Sequence, residues 1–317
     1  MGYGGIMCNS LFMEGFFMKI GMLLLILHQI VQQGEGMLVK NYGKKHGAGG
    51  MFFNGIFCLF SMVFFFVTDK DGLYFPTELL LYGFVSCLMF ATGFYSMYLA
   101  LKLGSYAMSK LFASFSGIIA IAYGIVFLRE PSNFITYTAI VLVFISVFLM
   151  NYKKEKDSAE KGFSLKWFLA VLATVISNGL IAVLQKAQQL KFHNGCDNEF
   201  MILSLGGAFV ALFVLGLILE REKLGQIIKH GTLYGAGAGL MNGAMNFLNL
   251  AVYIFIPISA ATSIRTGLSI VGSFAVSVLI YREKFTLMQA LSAGVGIIAL
   301  LLLQFNTEIL AFINSIL

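Results

Sequence analysis

The sequence predicts an all-α membrane protein: ten transmembrane helices arranged as two inverted five-helix repeats. Three observations carry that prediction. Of 317 residues, 59% are hydrophobic and only 11% charged, with mean hydropathy +0.87, whereas soluble chains run near one quarter charged. Apolar runs of roughly 18–25 residues recur from end to end, long enough to cross a bilayer as helices and too continuous for barrel strands. Residues 105–134 (SYAMSKLFASFSGIIAIAYGIVFLREPSNF) also align without a gap on 258–287 (ISAATSIRTGLSIVGSFAVSVLIYREKFTL), 153 residues later. That alignment sets Arg129-Glu130 on Arg282-Glu283, Ala107 on Ala260, Ser109 on Thr262 and Ser116 on Ser269.

Taken in order, residues 1–17 read as an N-terminal extension, with a natural start at Met18-Lys19. The first repeat, 18–151, holds spans at 18–39, 50–67, 79–101, 105–128 and 134–151. The basic loop Lys40, Lys44, Lys45 closes the first span, and Asp69-Lys70-Asp71 closes the second. A Lys102-Leu103-Gly104 corner separates the third from the fourth, and Glu130-Pro131 turns the chain into the fifth. Residues 152–164 are the one hydrophilic stretch, charged and without apolar periodicity, and read as a polar linker. The second repeat, 165–304, places spans at 165–184, 200–219, 233–254, 257–281 and 286–304, and 305–317 form a short C-terminal tail. An odd number of spans per repeat inverts the second half, and inverted repeats put their site at the shared interface near the midplane.

The net charge of +6 comes from cations scattered over short loops, with no basic groove, so nucleic acid is not an expected partner. Cys8, Cys58, Cys87 and Cys196 lack metal-ligand spacing and a disulfide framework. No metal and no cofactor are called for.

The phrase of a long apolar helix, Arg-Glu, a turn and another apolar helix stands twice, as FLREPSNFITYTAIVLVFISVFLMN and LIYREKFTLMQALSAGVGIIALLLLQ. In this phrase and in the two-by-five plan, residues 18–304 resemble the drug/metabolite transporter superfamily in its ten-span, EamA-type form. The resemblance implies alternating-access transport of a small metabolite or drug, often export, without ATP hydrolysis by the chain. It departs from the pattern at Gly117 and Ile270, where such repeats usually carry proline. The loop cations lie mostly on the face opposite the termini, which favours outside termini by the positive-inside tendency; the resemblance implies termini inside.

Within the spans, Lys110 and Arg265 stand out, because an uncompensated cation at the bilayer centre costs ~2.5–3.5 kcal/mol. Arg265 lies about 12 Å into its span at the helical rise of 1.5 Å per residue. Capture of a carboxylate or phosphate in a cavity between the halves would offset that cost. The phosphate-translocator branch of the resembled superfamily similarly uses cations on its fourth and ninth helices. For Lys110, snorkelling to the headgroups is the open alternative.

Asn242, Asn246, Asn249 and Tyr253 follow i, i+4, i+7, i+11 on one helical face, which must look inward because amides facing lipid go unsatisfied. They read as the polar wall of a substrate path or as interhelical glue. Thr262 and Ser269 continue the polar set around Arg265. His28, Gln32 and Glu35 share one face of the first span and are candidates for proton coupling, with an interfacial carboxylate beside Lys40 as the open alternative for Glu35.

The expected function is thus secondary transport of a small anionic or zwitterionic metabolite, with a flippase for a lipid or polyprenyl-linked carrier as the alternative. A GxSxG, HExxH or phosphate-binding loop motif is not present, and the chain is not expected to be an enzyme. The expected partners are a small-molecule substrate, the lipid bilayer and protons as coupling ion, in a monomer or homodimer. The expected location is the plasma (inner) membrane.

Overall fold

The computed structural model of the protein describes residues 3–46, 50–70, 72–103, 109, 113, 115–151, 164–279, 287–305 and 309–310. Lys110, the linker apart from Ser164, and most of the tail lie outside the described residues.

All regular structure among the described residues is helical. The helices are α1 (Tyr3–His46), α2 (Met51–Thr68), α3 (Thr77–Leu103), α4 (Gly117–Ala122), α5 (Phe134–Asn151), α6 (Leu165–Phe192) and α7 (Asp197–Leu219). After short turns over 221–231 come α8 (Thr232–Phe255), α9 (Ile258–Leu279) and α10 (Leu287–Gln304). The backbone of α1 is already helical from Tyr3, so the stretch expected as an extension continues directly into the first apolar run. Six helices among the described residues are long and apolar enough to cross a membrane. They are Met18–Gly43 within α1, then α2, α3, α6, α7 and the stretch Arg221–Phe255 that ends in α8. Shorter apolar helices occupy Gly117–Phe127, Phe134–Ser146 and Ala290–Leu303.

Local chemistry sets the helix ends. Ser164 caps α6 by accepting from the backbone N–H of Trp167 at 3.3 Å. At the other end His193 and Asn194 take left-handed φ of 53° and 61°, and the His193 N–H returns to the Gln189 carbonyl. Tyr123–Phe127 widen α4 into a π-helical turn, which ends where Arg129 turns left-handed at φ 52° just before Pro131. Pro257 cannot donate to continue α8 and instead opens α9.

The helices pack in a regular set of pairs. α1 lies along α8 and α3 along α6; α2 contacts α7 and α8, and α3 contacts α7. α9 touches α1, α4 and α10, α4 touches α6, and α5 pairs with α10. One apolar core, including Phe57, Phe65, Phe90, Phe200 and Leu212, joins α2, α3 and α7. A second, including Leu25, Ala120, Val252, Ile258 and Ile264, joins α1, α4, α8 and α9. Where α2 meets α8 the backbones nearly touch: a Cβ on Gly239 would stand 2.4 Å from the Phe57 carbonyl oxygen, so only glycine permits the crossing. α5 and α10 are joined by a reciprocal pair, Ser146 Oγ donating to the Ser292 carbonyl and Ser292 Oγ to the Ser146 carbonyl, both at 2.7 Å. Outside the cores, large apolar side chains such as Leu23, Ile30, Phe84, Ile218 and Leu291 are exposed. Apolar surface distributed over so many helices is what a hydrocarbon solvent requires.

Candidate functional site

A cavity of about 460 Å³ lies among α1, α3, α4, α6, α8 and α9. Asn242, Asn246 and Asn249 enter it from α8, Arg265, Thr266 and Ser269 from α9, and His28 and Gln32 from α1. The opposite wall is built by Phe90, Phe94 and Met97 of α3 with Asn178 and Ile181 of α6, and Gly117 lies at the start of α4. Arg265 is the one permanently charged side chain among the described lining residues. Beside it, the His28 Nδ1 and Gln32 Oε1 atoms are buried without a hydrogen-bond partner among the described residues. Unpaired polar atoms are costly in a sealed core, so at a cavity wall they mark places for a polar guest.

Not every expected residue reaches this space. Tyr253 is 1% exposed and belongs to the apolar core beneath the cavity. The cavity ends at the level of Asn249, one turn earlier, although the helical face continues. Thr262 is fully buried, its methyl group set against Gly117. Glu35 is not among the lining residues; its carboxylate accepts from Asn242 Nδ2 at 3.5 Å.

The polar residues form a directed network. Arg265 Nη1 donates to Asn249 Oδ1, and Asn249 Nδ2 donates to Gln185 Oε1 at 2.8 Å. Gln185 Nε2 donates to Asn246 Oδ1 at 2.9 Å, and Asn246 Nδ2 to Asn242 Oδ1 at 2.9 Å. Asn242 then donates to Glu35. A guanidinium can only donate and a carboxylate can only accept. These two ends therefore dictate the orientation of all four amides: each turns its oxygen toward Arg265 and its nitrogen toward Glu35.

Gln185 is the keystone that sequence reasoning missed. It stands seven residues after Asn178 on α6, the spacing of one face, and just beyond the expected span 165–184, so the signal was present. Periodicity alone could not tell that it bridges two asparagines on α8.

Toward the α8–α9 corner the bundle is tied by charge. Lys186 Nζ donates to the Tyr253 carbonyl at 2.6 Å, in the last turn of α8, where carbonyls have no partner within the helix. Three residues past the end of α8, the Glu130 carboxylate accepts from the N–H groups of Ile258 and Ser259 at 2.7 and 2.9 Å, capping α9. Cation and anion each meet the helix end of opposite partial charge. Gln189 adds a bond to the Leu250 carbonyl at 2.9 Å, and Gln188 and Gln189 both donate to Asp197. From the sequence, Glu130 reads only as a turn marker with local charge compensation; capping a helix 128 residues away is a tertiary fact.

Among the described residues no three His, Cys, Asp or Glu side chains converge on a metal position.

These features define the class: an all-helical, multi-pass integral membrane protein with a polar chamber inside it. Residues 16–152 match the EamA-like transporter family, in agreement with the resemblance to the drug/metabolite transporter superfamily. Members of that family are membrane transporters of small solutes, not enzymes. No curated protein matches the chain. A solved structure described only as "Crystal structure of protein" superposes with a TM-score of 0.70. It covers 90% of this chain and 98% of that one at 10% identity, a likeness of fold alone.

Proposed function

We propose that this chain is a secondary active transporter of the plasma membrane that moves a small anionic or zwitterionic metabolite, with export the expected direction. Transport proceeds by alternating access through the central cavity between two inverted five-helix repeats. The observation that carries the reading is Arg265, a permanent cation at the wall of a chamber that otherwise offers amides, hydroxyls and aromatic rings. Its Asn249 partner is neutral, so its charge is left for an anionic guest.

The packing pairs support the inverted repeat. Exchanging the first five helices with the last five turns α1 on α8 into α6 on α3, α2 on α8 into α7 on α3, and α1 on α9 into α6 on α4. The pairs α2 with α7, α4 with α9 and α5 with α10 map onto themselves. In this reading the layer held by Lys186 and Glu130 is the closed end of the path.

The test is a thermal-shift screen of the purified protein against anionic, zwitterionic and cationic metabolites, followed by transport of each hit in proteoliposomes. Anionic or zwitterionic hits are expected, and Arg265→Ala is expected to abolish both the shift and the transport while membrane abundance stays unchanged. Normal transport by that variant discards the role of Arg265. Movement of labelled lipid that is indifferent to Arg265→Ala would favour the flippase.

A further inference from the structure

A second cavity of about 390 Å³ opens at the other end of the bundle, where α1 and α3 finish and α2 begins. Its polar lining comprises Tyr42 and His46 of α1, Tyr98 and Lys102 of α3, and Lys223 and Gln226 from the turns before α8. None of these residues takes part in the central chamber.

The Glu220 carboxylate is held by two of these lining residues and by the start of α2. It accepts from the Met51 N–H at 2.7 Å, the Tyr98 hydroxyl at 2.6 Å and Lys223 Nζ at 3.1 Å. A Cβ on Gly50 would stand 2.0 Å from its Oε2, so the glycine lets the carboxylate lie directly on the start of α2. Burial pushes the Glu220 carboxyl up, but its three donors outweigh burial and hold it below the ordinary value. Glu220 is therefore an anion locked into the wall, where it balances Lys223 and leaves the Lys102 charge unmatched by any described residue.

What faces the opening is donor-rich. Lys102 makes no hydrogen bond or ion pair to any described residue, and Lys223 uses one of its three N–H groups on Glu220. His46 is fixed by a run of rings: Phe53 on Tyr42 at 4.5 Å, Tyr42 on His46 at 5.3 Å, and His46 on His230 at 5.0 Å. Lys45 and Arg221 lie close in sequence to the lining residues His46 and Lys223. With the Tyr98 hydroxyl spent on Glu220, two lysines, a histidine, an amide and the Tyr42 hydroxyl still offer more donors than the two oxygens of a carboxylate can use. A phosphate has enough oxygens to take them from several directions. The position, at the ends of apolar helices and beside tyrosines and lysines, is headgroup depth.

We propose that this pocket is a phosphate-anion site, occupied by the headgroup of an anionic lipid or by a free phosphorylated solute. The proposal is independent of the transport reading. Its test uses the full-length protein in neutral detergent, titrated separately with phosphatidylglycerol, phosphatidylcholine and inorganic phosphate. Thermal unfolding and native mass spectrometry are the readouts. Phosphatidylglycerol is expected to raise the midpoint and to remain bound as one copy, whereas phosphatidylcholine does neither. Lys102→Gln, which removes no bond within the described protein, is expected to weaken the effect about tenfold without moving the lipid-free midpoint. Lys229→Gln, outside the pocket lining, is the control and leaves the effect intact. Stabilisation by inorganic phosphate that also depends on Lys102 assigns the site to a soluble anion and supports the same chemistry. Equal shifts in wild type and Lys102→Gln, equal shifts with both lipids, or no shift with any probe overturn the proposal.

Discussion

Arg265 and Glu35, on different helices, sit at the two ends of a single chain of hydrogen bonds that runs through Asn249, Gln185, Asn246 and Asn242. Because one end only donates and the other only accepts, reversing any amide would put two donors or two acceptors face to face. The cavity wall is therefore ordered from the cation outward.

Gln185 tests that order. Gln185→Glu keeps the shape but loses the donor to Asn246, and Gln185→Leu loses both bonds to α8. Interhelical polar contacts in membranes are worth about 0.6 kcal/mol on average, so stability is expected to change little in Gln185→Glu. Ligand affinity at Arg265 is expected to fall several-fold in both variants, read by thermal-shift titration. Unaltered affinity in Gln185→Leu would show that the wall needs no such alignment.

The tie at the α8–α9 corner gives a second expectation. Glu130→Gln removes the charge that caps α9 and should cost about 1 kcal/mol, the ordinary worth of a charged helix cap. Lys186→Met should loosen the same corner. Both variants are expected to speed amide hydrogen exchange around 255–260 and to leave exchange around Ser146 and Ser292 unaltered. Uniform acceleration over the whole bundle would mean general destabilisation, not release of one end.

Acid sensitivity follows from Glu220. Its folded carboxyl titrates below the ordinary value of 4.5, so its contribution to stability is present above that value and is lost as pH falls through the folded one. The melting midpoint in detergent should drop as the medium is acidified below the ordinary glutamate range. Glu220→Gln should flatten that part of the profile, and identical profiles in the two proteins would count against it.

We propose His28, Gln32 and Glu35 as the groups that couple transport to protons. Transport in proteoliposomes is expected to vary with pH in the wild type, and Glu35→Gln should reduce that dependence. A wild-type rate that is constant across pH removes protons from the scheme.

Much of this was legible in the residues. Helices α2, α3, α7 and α8 fall within a few residues of their expected spans because uninterrupted apolar runs leave the backbone no other way to satisfy itself in lipid. Asn242, Asn246 and Asn249 do face the cavity, as their spacing required. Tyr253, on the same face, does not: periodicity fixes direction around a helix but not how far along it a cavity extends. Gln185, Glu130 and Glu220 were invisible as partners, since each acts on a helix far away in sequence.

By itself the sequence determined that this protein is a helical membrane bundle, that its halves share a repeated phrase, and that a cation lies within an apolar span. Those are matters of composition and period, properties of segments taken one at a time. Only the tertiary structure decided which polar groups meet. It hung the cavity amides between Arg265 and Glu35, set Glu130 on the start of α9, and left a donor-lined pocket beside Lys102. Hydrogen bonds reach only about 3 Å, and no local pattern specifies which distant side chains come that close.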